Sequence, residues 1–363
     1  MRLIPTSRVV EGTFLGADVQ VGHAEGIPLL RRGVRLTHRL RDRLIAAGVH
    51  AVYVEDSISE GIELERLVDD DTRIFATRAV AGAFQAARRA FARNEPLGAD
   101  SVAALQDVVY RIVDRLEEAG PAASLALADM ASADAYTFQH SIDVAAIGLL
   151  IARRYWSTHG WSDHTGQRRH SGLDSRLSEL GMGLLLHDVG KLAIPLAILH
   201  KPAKLDPAEW ELMKRHPRMG VDLLEGDHWS PLVKGVVLRH HERWNGSGYP
   251  DGRVREEIHE MARIAAVADT YDAIISERPY AAARPSVVGV EVIRDAAGTL
   301  FDPDVAAAFA QVVPPYPAGS EITLPDGRPA IVVSVDEGAF DVPLVRTLDG
   351  EEQRVELAVA AWS

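Results

Sequence analysis

The chain has 363 residues, 47% of them apolar, a formal net charge of −13 and no cysteine. That length predicts two or three domains. The missing cysteines exclude disulfides and thiolate metal sites and fit a reducing cytoplasm. An acidic surface disfavours nucleic acid polymers and anionic lipid. The longest apolar run, Ala145 to Ala152, is far below the ~20 residues that span a membrane. A soluble, cytoplasmic protein with no membrane insertion is therefore expected.

Residues 1–56 read as a small β-rich module. Apolar positions alternate loosely in Arg2 to Val10 and Pro28 to Leu36, followed by a short helix, Thr37 to Ala47, and a strand, Ala51 to Glu55. Residues 57–122 form a helical connecting region. One helix is predicted from Ile62 to Ala92, broken by Asn94, Pro96 and Gly98, and a second from Asp100. These helices are candidates for packing on the next domain or for a homodimer seam.

Residues 123–312 read almost entirely as helices. A helix over Tyr136 to Trp156 carries His140 near its start. The polar stretch 157–172 holds His159, His164 and His170, and its Gly/Ser content predicts a solvated loop rather than a metal site. A helix over Leu177 to Asp188 ends in His187-Asp188, with Gly190 expected in a turn just beyond it. Asp206, Pro207 and Glu209 form a helix start, and that helix is expected to run to His216, where Pro217 breaks it. A helix over Pro231 to His241 delivers His240 and His241 to a glycine-rich loop, Asn245 to Gly252. A last helix, Glu260 to Ser276, sets Asp269 and Asp272 on one face. Residues 313–363 read as a small β module, with turns at Pro325-Asp326-Gly327 and Asp349-Gly350.

Seven residues of metal-ligand type stand out: His140, His187, Asp188, His216, His240, His241 and Asp269. Each alone has an ordinary reading as a cap, a helix end or an ion-pair partner; Asp269, for instance, could pair with Arg263 or Arg278. Together they place five imidazoles and two carboxylates on or at the ends of helices in one all-α block. That set can hold two ions if one carboxylate bridges. Nitrogen and oxygen ligation suits Fe or Mn and admits Zn or Ni.

The strings YTFQHS, HDVGKLAIP, LHKPAKL, KRHPRMG, HHERWNGSGYPDG, IAAVADTYDAI and SERPY occur in that order over Tyr136 to Phe309. In this the chain resembles the HD-GYP family, a branch of the HD-domain metal-dependent phosphohydrolases. The resemblance implies a mainly α fold: an HD-type helical bundle, here with small β-rich modules at both termini. It implies one ion held by His140, His187, Asp188 and Asp269, with Asp188 bridging to a second held by His216, His240 and His241. It makes Asp188 and Lys191 catalytic, with Lys191 on the substrate side. Gly248, Tyr249 and Pro250 become the signature loop, Tyr249 faces substrate, and Arg278 contacts phosphate or guanine.

The implied activity is hydrolysis of cyclic di-GMP to linear pGpG, with further cleavage to GMP left open. Two ions ~3.5–4 Å apart would polarise a water to hydroxide for in-line attack on phosphorus. Two positions depart from the family. Ala281 stands where a basic residue is usual, and Tyr136 stands where three-metal members carry a glutamate, so two ions are expected. The competing expectations are an HD-type phosphohydrolase for another cyclic dinucleotide or nucleotide, and a weakly active cyclic di-GMP receptor.

Overall fold

The computed structural model describes residues 1–19, 28–49, 51–62, 68–119, 133–163, 165, 167–201, 203–276, 284–336 and 338–357. It is mainly helical, with small sheets near both ends.

The N-terminal module contains β1 (Arg2–Pro5), β2 (Phe14–Leu15), α1 (His38–Ala46) and β3 (Ala51–Glu55). Both β1 and β2 pair antiparallel with the central β3. Ile4, Leu15, Leu36, Leu44, Val52 and Val54 make a core of its own.

The helical body follows: α2 (Asp70–Arg93), α3 (Asp100–Ala119), α4 (Ala133–His159) and α5 (Leu173–Leu186), then α6 (Leu196–Leu199), α7 (Pro207–Met213), α8 (His216–Leu223) and α9 (Pro231–Arg239), and finally α10 (Glu260–Ile275), α11 (Ser286–Asp295) and α12 (Pro303–Ala310). The side chain of Asp69 caps α2 by accepting from Thr72 N, and Asn94 closes that helix in the left-handed region at φ 55°. Asp and Asn suit these two places because their short polar side chains satisfy orphan backbone groups and tolerate αL. Ile142, Ala145, Ala146, Ile147, Leu149 and Ile151 are all buried along α4. A helix buried on every side belongs at the centre of a bundle, and α4 indeed packs on both α5 and α10. One continuous hydrophobic core runs from Val68 to Val313, so α2 and α3 share it with the later helices.

Two local expectations are corrected. The helix begun by Asp206 and Pro207 ends at Met213, and His216 opens a new helix instead of closing the old one. Proline lacks the N–H that a helix interior needs but loses nothing in the first turn, so Pro217 sits in the first turn of α8. The polar stretch 157–172 is not merely solvated. Trp161–Ser162 and Arg168–Arg169 pair as a short ribbon, β4 and β5. Buried Glu260 ties it down by accepting from Trp156 Nε1, Ser162 N and Arg168 Nη1 at 2.8, 2.7 and 3.0 Å.

The C-terminal module is an antiparallel meander of β6 (Glu321–Thr323), β7 (Pro329–Ser334), β8 (Leu344–Thr347) and β9 (Glu352–Arg354). It meets the N-terminal module. Arg2 pairs with Glu321, and Arg346 Nη1 donates to Ile58 O at 2.8 Å. Among the described residues no helix is long and apolar enough to cross a membrane.

Candidate metal centre

His187, His216 and His240 share a local device. Each sits at the boundary of a helix, and each Nδ1 faces a carbonyl three residues back: Leu184 O at 2.6 Å, Met213 O at 2.8 Å and Val237 O at 3.0 Å. A carbonyl only accepts, so Nδ1 carries the proton and Nε2 keeps its lone pair. Those lone pairs converge. His216 Nε2 lies 3.3 Å from His240 Nε2, and His187 Nε2 lies 3.2 Å from His140 Nε2. Acceptors packed this closely repel one another unless a cation or proton lies between them.

The ligand atoms fall into two groups, each with members within 4.8 Å of one another: Asp188, His216, His240 and His241, and His140, His187 and Asp269. Asp188 spans them. Its Oδ1 faces His216 Nε2 at 3.4 Å and His240 Nε2 at 3.8 Å, while Oδ2 faces His187 Nε2 at 3.4 Å and His140 Nε2 at 3.7 Å. Oδ1 is buried with no hydrogen-bond partner. An ionised oxygen left so in the interior is costly, and a bound cation would satisfy it. The donor set therefore fits two divalent ions sharing one carboxylate.

Electrostatics separate the groups. Burial and the neighbouring histidines hold His240 well below the usual imidazole range. Burial also lowers His216, to about 4, although Asp188 opposes it. These rings are neutral and free to act as donors to a cation. Burial lowers His140 too, but Asp269 and Asp272 outweigh it and raise the ring to about 9. Asp272 Oδ2 lies 2.5 Å from His140 Nδ1, a carboxylate–imidazole pair of the kind that orients a metal-binding ring. Burial pushes Asp188 up, yet Lys191, His187 and His216 hold it well below the carboxylate range. Lys191 Nζ donates to Asp188 Oδ2 at 2.5 Å.

Two glycines let the parts approach. Gly190 lies in the 3-10 turn Val189–Ala193, just beyond α5 as expected, and its φ is not positive. A Cβ on it would fall 1.9 Å from His216 O and 2.5 Å from Gly220 N, so only glycine lets α8 bring His216 to Asp188. A Cβ on Gly248 would fall 2.4 Å from Arg243 N and 2.5 Å from His241 O. This packing seats Tyr249, whose ring lies 4.7 Å from that of His241. Buried Glu242 accepts from Asp251 N at 2.7 Å and Arg253 N at 3.1 Å, holding the loop from below. Asp251 Oδ1 accepts from Arg218 at 2.5 Å, and Arg239 lies 3.6 Å from Oδ2. Those arginines flank the ligand-bearing ends of α8 and α9.

All seven expected ligands thus meet at one place, with Lys191 and Tyr249 beside them. Arg278 and Ala281 lie outside the described residues, as does the side chain of Tyr136. Among the described residues His159 bonds locally, through Tyr155 O at 3.1 Å. Asp269 pairs with imidazoles rather than Arg263, which pairs with Asp302. Asp272 and Glu242 were not assigned roles from the sequence. The three-residue spacing of Asp269 and Asp272 was the available signal for the first; nothing in the string HHE marked the second.

Residues 152–305 match the sequence model of the HD domain family. Three curated relatives are similar. A cyclic di-GMP phosphodiesterase of Pseudomonas aeruginosa is 36% identical over 238 residues, 65% of this chain and 54% of that protein. A cyclic di-GMP phosphodiesterase response regulator of Xanthomonas campestris is 49% identical over 124 residues, 34% of this chain and 33% of that protein. A 3′3′-cGAMP-specific phosphodiesterase of Vibrio cholerae is 36% identical over 174 residues, 48% of this chain and 35% of that protein. The chain thus spans about half the length, or less, of these relatives.

Proposed function

We propose that this chain, which carries an HD domain over residues 152–305, is a cytoplasmic metal-dependent phosphodiesterase that opens cyclic di-GMP to linear pGpG. The catalytic unit is residues 123–312, flanked by modules 1–56 and 313–363 and joined through 57–122. The reading rests above all on Asp188, whose two oxygens face two separate imidazole groups at 3.4 Å each. His140, His187 and Asp269 would hold one ion, His216, His240 and His241 the other, and Asp188 both. Fe or Mn suits this all-nitrogen-and-oxygen set.

Bound ions supply Lewis acidity toward the attacking water and neutralise charge at phosphorus. The chain supplies the rest. Backbone carbonyls and Asp272 keep the imidazoles aimed. Lys191, a partly exposed cation against Asp188, offers its remaining donors to a phosphate oxygen. Tyr249 bounds the cleft on the side of His241, and Arg278 is assigned to phosphate or base. Water adds to phosphorus as the bond to the 3′ oxygen breaks, leaving a linear dinucleotide with a 5′-phosphate. Asp143 is engaged by Arg73 at 3.0 Å and Gln139 at 2.9 Å, which supports two ions rather than three.

The similarity to the Vibrio cholerae enzyme supports a second reading, 3′3′-cGAMP as substrate. Protein reconstituted anaerobically with Fe(II), or with Mn(II), should convert cyclic di-GMP to pGpG faster than it converts 3′3′-cGAMP, with two ions per chain by elemental analysis. The reverse preference would move the assignment to 3′3′-cGAMP. Tight binding without turnover would make the chain a receptor.

A further inference from the structure

The geometry points to Trp210 as a stacking platform for a purine base of the substrate, an inference that rests on the phosphodiesterase reading above. Isolated exposed hydrophobic residues are common on protein surfaces and carry no message. Trp210 differs in what it adjoins. From the ligand His241 the ring of Tyr249 lies 4.7 Å away and tilted by 31°, and the Trp210 ring follows 6.0 Å beyond at 81°. A row of three rings thus leads from the metal centre to solvent, and the outermost residue is 45% exposed.

The platform is rigid. Trp210 directly follows Glu209, the third residue of α7. Asp206 and Glu209 close a reciprocal cap there, Asp206 N donating to Glu209 Oε2 at 2.8 Å and Glu209 N to Asp206 Oδ1 at 2.9 Å. Lys201 Nζ fixes the same Glu209 oxygen at 2.6 Å, and Trp210 N donates to Asp206 O at 2.9 Å. A backbone fixed this firmly leaves only the side-chain torsions of Trp210 to be ordered when a ligand covers it.

The chemistry selects the occupant. A cyclic dinucleotide carries two phosphates and two bases. Its phosphodiester belongs at the ions, and the attached base must then lie within a few ångström of the mouth. Every nucleobase has a π-face, and stacking on an aromatic side chain does not depend on charge. In a chain of net charge −13, that is a way to hold a polyanion without adding cations.

The test compares two phosphodiesters on metal-loaded protein: cyclic di-GMP, and methyl p-nitrophenyl phosphate, which lacks a nucleobase. For Trp210→Ala the ratio of kcat/KM on cyclic di-GMP to that on the small ester should fall by about ten- to a hundredfold, the scale of losing one base–aromatic stack. The loss should sit in KM, and Trp210→Phe should restore most of it. An unchanged ratio would overturn the platform, as would an equal loss on both substrates, which would mean that Trp210 only supports α7. Quenching of fluorescence by GMP, taken as the difference between wild type and Trp210→Phe, reads the platform without turnover. Its absence also overturns the inference. Wild-type protein that cleaves the small ester but no cyclic dinucleotide, while GMP still quenches Trp210, would instead defeat the substrate reading and leave the platform standing.

Discussion

The two halves of the metal centre solve the same problem by different means. Around His216 and His240 the imidazoles are aimed by carbonyls three residues back in the chain, and burial keeps them neutral. Around His140 the aiming group is Asp272, 132 residues distant in sequence, and two carboxylates lift the ring to about 9 against burial. The first half is built locally and contributes donor atoms. The second joins His187, aimed locally by Leu184 O, to His140 on α4 and to Asp269 and Asp272 on α10, and contributes negative charge. A cation and a proton compete for that second field, so its occupancy depends more strongly on its carboxylates. Asp188 faces two imidazoles of each half through its two oxygens, whereas Asp269 reaches across only to His241, at 3.7 Å.

The largest effect follows from removing that link. Asp188→Ala should lose both ions and reduce turnover to background, with the helical circular dichroism intact because the core is hydrophobic. Retained metal and wild-type hydrolysis in that variant would break the idea of a shared carboxylate.

Lys191→Ala separates charge at phosphorus from support of the site. A kcat about 10²–10³-fold lower is expected, as for loss of one oxyanion-type contact. Metal content should stay at two ions, because Asp188 Oδ1 faces away toward His216 and His240. Loss of metal would make Lys191 a prop instead.

Asp272→Asn addresses only the second half. It should weaken one of the two ions by about 10–100-fold, the range for a partner that orients a ligand. Metal titration would then resolve one tight and one weak site. Equal weakening of both would erase the distinction between the halves.

The smallest effect is expected at Asp251, which clamps the loop through partly exposed pairs with Arg218 and Arg239. Asp251→Ala should cost roughly 1 kcal/mol or less, a shift in Tm of a few degrees. KM should rise moderately while both ions stay bound. A fall in metal content would show that the clamp reaches the ligands of α8 and α9.

Much of this is legible in the amino-acid sequence. The alternation of strands at both ends, the cap formed by Asp206 and Glu209 and the breaks at Asn94 and Gly98 are signals written within a few residues. What the sequence left out has a separate physical cause at each place. Gly190 reads as a turn residue, yet its reason is the approach of His216 O from α8. Pro217 reads as a terminator, yet it starts a helix. The stretch 157–172 reads as solvated, yet Glu260, some hundred residues later, binds it.

By itself the sequence determined which atoms were available as ligands and placed most of them near helix ends, because helix periodicity and capping act over three or four residues. Only the tertiary structure decided which oxygen of Asp188 faces which imidazoles, that Asp272 backs His140, and that Trp210 continues the ring row from His241. Those relations join segments far apart in the chain. They are set by how buried faces pack, and no local preference encodes them.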